Sequence, residues 1–166
     1  MGYTTEFKGA FKLDKKLKQA EIDYLKAFSA SRRMARDVTQ LSSTPVMKAV
    51  NVDMGIEGAN YVSENSGNFG QNATEEVIDF NSPPDPLPSL WCQWIPTEDG
   101  MSIVWDESEK FYNYTDWISY LIETFLKPWG YTVNGEVIWR GEDTEDVGVI
   151  EVKDNVVRKY YGVTSI

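Results

Sequence analysis

Apolar residues recur with two different periods along this chain, and these periods predict its structural elements. Alternation over residues 3–13 predicts a first strand with a bulge at Gly9, and apolar residues at helical spacing over 18–34 predict a first helix. From 37 to 88 the periodicity fades into Ser, Thr, Gly and Asn and ends in a run of prolines, which predicts a long irregular insert. The Thr-Pro pair that opens residues 44–50 favours a short helix within it.

The periodic pattern returns after the insert. It predicts a hairpin of strands over 90–95 and 101–105, a second helix over 114–127, and strands over 131–139, 147–152 and 156–161. This order is typical of an α+β fold: a mainly antiparallel sheet with two helices on one face, close to a ferredoxin-like arrangement. At 166 residues and 42% hydrophobic, the chain suits a single domain over 1–166.

The residue types that are missing exclude several kinds of chemistry. The chain has no histidine, which excludes Ser-His and Cys-His nucleophile pairs, imidazole bases and ordinary His-ligated metal sites. Reactions that use Asp or Glu carboxylates are not excluded. No cofactor is expected. The single cysteine, Cys92, fits a buried thiol in a reducing compartment. Without a long apolar run or a signal peptide, we expect a soluble cytoplasmic protein that has no contact with membranes.

Charge is divided unevenly along the sequence. Residues 1–50 hold 10 Lys+Arg against 5 Asp+Glu, whereas the remainder holds 6 against 21. The net charge of −10 makes direct binding to DNA or RNA unfavourable. Two acidic runs could converge on Mg²⁺ or Ca²⁺, form a surface for a basic protein partner, or be solvated turns. Their residues are Asp106, Glu107, Glu109, Glu142, Asp143, Glu145 and Asp146.

A basic and hydroxyl-bearing group lies at the end of the first predicted helix, and all six tryptophans lie between 91 and 139. Arginine and serine grip phosphate or carboxylate through charge-assisted hydrogen bonds, and surplus aromatic rings can stack on a planar ligand. Core packing and a solvated helix end are the alternative interpretations. The candidate ligand-binding residues are Ser31, Arg32, Arg33, Arg36, Trp91, Trp94, Trp117 and Trp129.

Three segments carry a resemblance to known sequences: Phe28–Met34, Leu90–Trp94, and Lys127–Tyr131 followed by Asn134-Gly135-Glu136. Across most of its length the chain resembles an uncharacterised family of small acidic α+β proteins found in bacterial and tailed-phage genomes. The resemblance implies no catalytic residue. It implies a setting in which small phage-linked proteins bind and neutralise host components.

These observations favour a binding protein over an enzyme. The leading hypothesis is that the arginines at the end of the first helix and an aromatic pocket bind or sequester a small anionic, nucleotide-like molecule. The alternative is an acidic, anti-defence type of protein that inhibits a basic, nucleic-acid-binding host effector through its acidic residues. A carboxylate- or Mg²⁺-dependent hydrolase comes third, and a homo-oligomer stays open.

Overall fold

The computed structural model describes residues 2–63 and 75–162, so part of the predicted insert, residues 64–74, lies outside the described residues. The chain divides into two compact units, one formed by residues 1–17 with 93–166 and the other by residues 18–92. The single domain over 1–166 stays a prediction. Among the described helices, none has the length and apolar character needed to cross a membrane.

A six-stranded sheet dominates the unit formed by 1–17 and 93–166. Its strands are β1 (Glu6–Leu13), β4 (Trp94–Pro96), β5 (Ser102–Trp105), β6 (Val133–Arg140), β7 (Val147–Lys153) and β8 (Val156–Tyr161), while β2 (Ala35–Arg36) and β3 (Val77–Asp79) belong to the other unit. The strand order is β4-β5-β1-β6-β7-β8, and every pair in it is antiparallel. The predicted α+β class with a mainly antiparallel sheet is confirmed. The ferredoxin-like arrangement is not confirmed.

Two glycines allow β1 and β6 to pair without interruption. The register runs from Glu6 opposite Arg140 to Leu13 opposite Val133, so the predicted bulge at Gly9 is absent from this ladder. Gly9 and Gly135 have φ of +116° and +146°, and a Cβ on either would collide with a carbonyl oxygen of the facing strand. Glycine is therefore required at both positions. As predicted, β6 continues through the Asn-Gly pair.

The second predicted helix is present, but it changes geometry part-way. Helix α3 (Tyr114–Leu121) continues as a π-helical turn over Ile122–Leu126 before the chain turns at Pro128. The extra residue in the turn keeps Ile122, Phe125 and Leu126 buried together. Ring contacts between strands complete the core of this unit: Phe7 and Phe11 meet Trp94 edge-on with ring centroids 5.2 Å apart.

The unit formed by 18–92 has little regular structure beyond its helices. It contains α1 (Gln19–Ala30), the short helix α2 (Pro45–Lys48) and the two-residue ladder of β2 with β3. Helix α2 confirms the prediction for 44–50, with Thr44 at the N-cap and Pro45 at the first position. Helix α1 ends four residues before the predicted limit of Met34, because the chain becomes extended at Ser31.

Candidate interaction site

Arg33 is a structural residue in the described unit 18–92. Its side chain is 3% exposed, and the guanidinium lies 4.2 Å from the ring centroid of Phe28. Nη1 donates to the carbonyl of Ala59 at 3.0 Å and Nη2 donates to that of Tyr61 at 2.6 Å. Both hydrogen bonds fix a loop whose carbonyls would otherwise be buried without donors. The ligand-binding role of Arg33 stays a prediction, and the burial of its guanidinium gives that role no support.

The other basic and hydroxyl-bearing candidates also contact the protein itself. Arg36 is 3% exposed and forms an ion pair with Glu76 at 3.3 Å, and burial lowers the pKa of its guanidinium. Ser31 is fully buried and donates to the carbonyl of Ala27. Half-buried Arg32 stacks 4.1 Å from the ring centroid of Phe80 and donates to its carbonyl. Of the three arginines, Arg32 is the most accessible.

The four candidate tryptophans divide between core and surface. Trp94 and Trp117 are 1% and 0% exposed, and the indole Nε1 of Trp94 donates to the carbonyl of Tyr114 at 2.8 Å. Both belong to the core, as the alternative interpretation of core packing expects, and their ligand-binding role stays a prediction. Trp91, in the 18–92 unit, and Trp129, in the sheet unit, are half-buried.

A cleft of about 540 Å³ lies in the 18–92 unit. Its lining comes from one face of α1, the start of α2 and one residue after it in the chain: Asp23, Lys26, Ala27, Ala30, Pro45, Val46 and Ser63. None of the predicted arginines, serine or tryptophans lines it. The candidate small-ligand set therefore does not coincide with this cleft.

The two acidic runs lie towards the same end of the sheet. Strands β5 and β6 flank β1 and both run antiparallel to it, so both lead towards the start of β1; β6 ends there, with Arg140 opposite Glu6, whereas the paired residues of β5 lie opposite Phe11 and Lys12. The first acidic run follows β5 and the second joins β6 to β7. Glu6, at the start of β1, lies between them and pairs with Arg140. We refer to Asp106, Glu107, Glu109, Glu142, Asp143, Glu145 and Asp146 as the acidic end.

Most carboxylates of the acidic end are exposed, and three accept hydrogen bonds within the fold: Asp106, Asp146, and Glu142, which accepts from the backbone N–H of Thr4. Glu107, Glu109, Glu142, Asp143 and Glu145 are exposed, and Asp106 and Asp146 are half-buried. Burial raises the pKa of Asp106, although its carboxylate accepts a hydrogen bond from the backbone of Ser108. Most of the negative charge therefore faces water, where it can act on a partner.

Asp146 and Tyr3 organise the loop between β6 and β7. The carboxylate of Asp146 accepts hydrogen bonds from the Tyr3 hydroxyl at 2.7 Å and from Nε1 of Trp139 at 2.9 Å. The Tyr3 hydroxyl also accepts from the backbone of Asp143 at 3.1 Å. The hydrogen bonds from Trp139 and Tyr3 lower the pKa of Asp146, and Lys159 adds to the effect. Asp146 is thus held as a carboxylate.

The geometry of the acidic residues bears on the metal interpretation. Within residues 2–63 and 75–162, no three Asp, Glu or Cys side chains come together in a way that could hold a metal ion. The acidic end brings carboxylates to one region without directing them at a common point. It offers a broad negative surface.

An aromatic cluster lies beside the acidic end and consists of Tyr114, Trp139 and Tyr161 around Lys159. Of these residues, only Trp139 is identified from the sequence, as one of the six tryptophans. The Nζ of Lys159 lies 4.8 Å from the ring centroids of Tyr114 and Trp139 and 5.0 Å from that of Tyr161. The alternation of β8 places Lys159 and Tyr161 on one face of the sheet, which is a signal available from sequence. Their meeting with Trp139 depends on strand register.

Comparison with known proteins does not assign the chain to a family. No protein-family model, curated protein or solved structure matches the chain. The resemblance to bacterial and tailed-phage sequences therefore stays a prediction, and the site is interpreted from its own geometry.

Proposed function

We propose that this protein is a non-enzymatic interaction protein that binds a basic partner through its acidic end. The observation that carries the proposal is that two separate acidic runs follow the strands on either side of β1 and lie towards the same end of a single sheet. Solvated turns do not require the two runs to share an end, and a metal site would require carboxylates directed at a common point, which the described residues do not show.

The charge balance of this region supports the proposal. In the sequence, Lys110 and Arg140 are the cations nearest to the two runs, and in the fold Lys159 lies near Asp146. Exposed charge of one sign steers an oppositely charged protein during encounter and disfavours partners of like charge. Exposed tyrosines adjoin the acidic end: Tyr112 is 49% exposed and Tyr161 is 67% exposed. Tyrosine is enriched in protein interfaces because it combines apolar area with a hydroxyl group.

The small-anion hypothesis has less support from the geometry. It relied on three arginines, and two of them are buried with their donors directed at the protein itself. Arg32 alone would have to supply the cationic recognition. The same two buried arginines remove positive surface from the 18–92 unit, so the basic patch inferred from residues 1–50 is smaller than the sequence indicates.

The biological setting follows the sequence resemblance. We propose a phage-linked, cytoplasmic protein whose partner is a basic host protein, such as a nucleic-acid-binding effector, in an anti-defence role. Cys92 is buried and is the single cysteine of the chain, which is compatible with a reducing compartment. The ferredoxin-like arrangement with both helices on one face of the sheet stays a prediction.

The test is capture from host lysate, identification of the partner, and measurement of its affinity across a salt series. We expect affinity to fall steeply with salt, because screening weakens interactions between exposed charges. An acidic-end variant removes six charges: Asp106→Asn, Glu107→Gln, Glu109→Gln, Glu142→Gln, Asp143→Asn and Glu145→Gln. Asp146 is kept because it supports the fold.

A matched control removes six exposed charges elsewhere: Asp53→Asn, Glu57→Gln, Glu98→Gln, Asp116→Asn, Glu123→Gln and Glu136→Gln. Both variants have the same net charge, so a general charge effect would weaken them equally. We expect the acidic-end variant to lose binding and the control to keep most of it. Equal affinities for the two variants would contradict the proposal.

A further inference from the structure

Three aromatic rings surround one lysine ammonium group in the sheet unit. Tyr114, Trp139 and Tyr161 form this cage, with their centroids 4.8, 4.8 and 5.0 Å from the Nζ of Lys159. Trp139 and Tyr161 meet edge-on at 5.2 Å, and Tyr114 and Trp139 are tilted against each other at 6.0 Å. All three rings are within the distance at which a cation is attracted to the negative ring face.

The fold constructs the cage from α3, β6 and β8. Tyr114 is the first residue of α3, Trp139 lies near the end of β6, and Tyr161 ends β8. Gly148 on β7 is opposite both Trp139 and Tyr161, and a Cβ there would collide with the indole ring of Trp139. The missing side chain lets rings from two non-adjacent strands meet across β7.

Asp146 holds the indole and adds negative charge. Its carboxylate accepts from Nε1 of Trp139 at 2.9 Å, which fixes the ring orientation, and it interacts electrostatically with Lys159. Yet no carboxylate of the described residues forms an ion pair with Lys159. The ammonium group is therefore held by ring faces and a nearby charge, an arrangement that a second ammonium group could replace.

We propose that this cage is a recognition site for an organic ammonium group, a lysine side chain of the basic partner, and that Lys159 occupies it until the partner binds. The inference rests on the proposed function, because it names the chemical group of the basic partner that would bind beside the acidic end. Tyr161 is 67% exposed, so one wall of the cage faces solvent. The neighbouring Asp143 and Glu145 are exposed and would attract cations to this opening.

The chemistry selects an ammonium group over a guanidinium group as the first candidate. Lys159 shows that a compact cation at the end of an alkyl chain fits between the three rings. A methylated ammonium group would be weakly hydrated and would lose less solvation on entering, so tetramethylammonium is a suitable small probe. Lys159 acts as an internal competitor for such a probe.

The experiment titrates tetramethylammonium chloride into the Lys159→Ala variant, with sodium chloride at equal ionic strength as the reference. The readout is the indole Nε1–H signal of Trp139 in nuclear magnetic resonance spectra, assigned with Trp139→Phe. We expect saturable binding with a Kd on the order of 1–10 mM. The wild-type chain should bind roughly tenfold more weakly because Lys159 occupies the cage.

Two further variants make the titration specific. Arg158→Ala is the matched control, since alternation along β8 places Arg158 on the opposite face, and it should bind like the wild type. Tyr161→Ala added to Lys159→Ala removes the exposed wall and should abolish saturation. If Lys159→Ala fails to fold, Lys159→Gln also removes the charge and serves in its place. A folded variant without Lys159 that shows no saturation, or equal affinity with and without Lys159, would overturn the proposal.

The cage and the acidic partner surface can fail separately. If a basic partner binds but Tyr161→Ala leaves its affinity unchanged, the cage proposal is overturned while the proposed function stands. If no basic partner exists but tetramethylammonium saturates the Lys159→Ala variant, the cage is an ammonium site and the proposed function is overturned. Loss of partner binding with Tyr161→Ala in a folded chain, together with probe saturation, supports both.

Discussion

The indole Nε1 of Trp139 donates to Oδ1 of Asp146 at 2.9 Å, joining the end of β6 to the loop that follows it. Trp139 is fully buried, so this carboxylate satisfies an indole donor that has no access to solvent. The same carboxylate accepts from the Tyr3 hydroxyl, which brings the N-terminal segment to the loop. One residue thereby links the acidic end, the aromatic cage and the start of β1.

Asp146→Ala should destabilise the chain by roughly 1–3 kcal/mol, because it leaves the buried indole donor of Trp139 without its partner. Glu145→Ala is the matched control, since Glu145 is an exposed neighbour in the same loop, and it should change the free energy of unfolding by less than about 0.5 kcal/mol. Urea unfolding followed by circular dichroism measures both. Equal effects of the two substitutions would contradict this role for Asp146.

The stabilisation by Asp146 should depend on pH. Its pKa is lowered in the folded chain, first by the hydrogen bond from Trp139 and then by that from Tyr3. A carboxyl group with a lowered folded pKa contributes stability above its unfolded pKa of about 3.9, and this contribution is lost as pH falls through the folded value. The difference in free energy of unfolding between wild type and Asp146→Ala should therefore be constant at neutral pH and shrink in acid. A difference that grows below about pH 4 would contradict the assignment.

Local patterns in the sequence predict most strands, because alternation and turn residues act over short distances. The strands β5, β6, β7 and β8 appear within two residues of the predicted limits, whereas β4 begins at Trp94, four residues after the predicted start at Leu90. The end of α1 was predicted less well, since Arg33 interacts with carbonyls at Ala59 and Tyr61, more than 20 residues away. Helical periodicity contains no information about such partners.

The candidate sites show the same division between local and long-range information. The acidic runs are visible in the sequence, but only the antiparallel pairing of β5 and β6 with β1 places them at one end of the sheet. The aromatic cage contains residues from α3, β6 and β8. Its rings can meet because Gly148, which lies between Trp139 and Tyr161, has no side chain. Strand register decides such meetings, and register is a property of the whole sheet.

Arg33→Ala should destabilise the chain by roughly 2–4 kcal/mol, because it removes the donors for the carbonyls of Ala59 and Tyr61. Arg33→Lys should recover only part of this loss, since lysine lacks the planar fork that reaches both carbonyls. Arg32→Ala is the matched control and should cost less than about 1.5 kcal/mol, as Arg32 is half-buried. Urea unfolding measures all three; a larger loss for Arg32→Ala than for Arg33→Ala would refute the structural role of Arg33.

Gly148→Ala should destabilise the chain by roughly 1–3 kcal/mol, because the added Cβ would collide with the indole ring of Trp139 and the carbonyl of Tyr160. Near-ultraviolet circular dichroism should report the displaced indole. In a Trp139→Phe background the smaller ring relieves part of the collision, so the same substitution should cost less there. An identical cost in both backgrounds would show that Trp139 does not determine the need for glycine at 148.

Cys92 should react slowly with a thiol reagent in the folded chain. Its side chain is 1% exposed, and its carbonyl accepts a hydrogen bond from the buried Ser29 hydroxyl at 2.5 Å. Reaction with 5,5′-dithiobis(2-nitrobenzoic acid) requires an opening event, so we expect a rate at least about a thousandfold below that in guanidinium chloride.

Ser29→Ala removes the hydrogen bond and should accelerate the folded-state reaction about fivefold, which corresponds to about 1 kcal/mol. Ser102→Ala, a half-buried serine in the sheet unit, should leave the rate unchanged. Rapid reaction in the folded wild type would show that the thiol is accessible, and the thiol would then have to be treated as a reactive group.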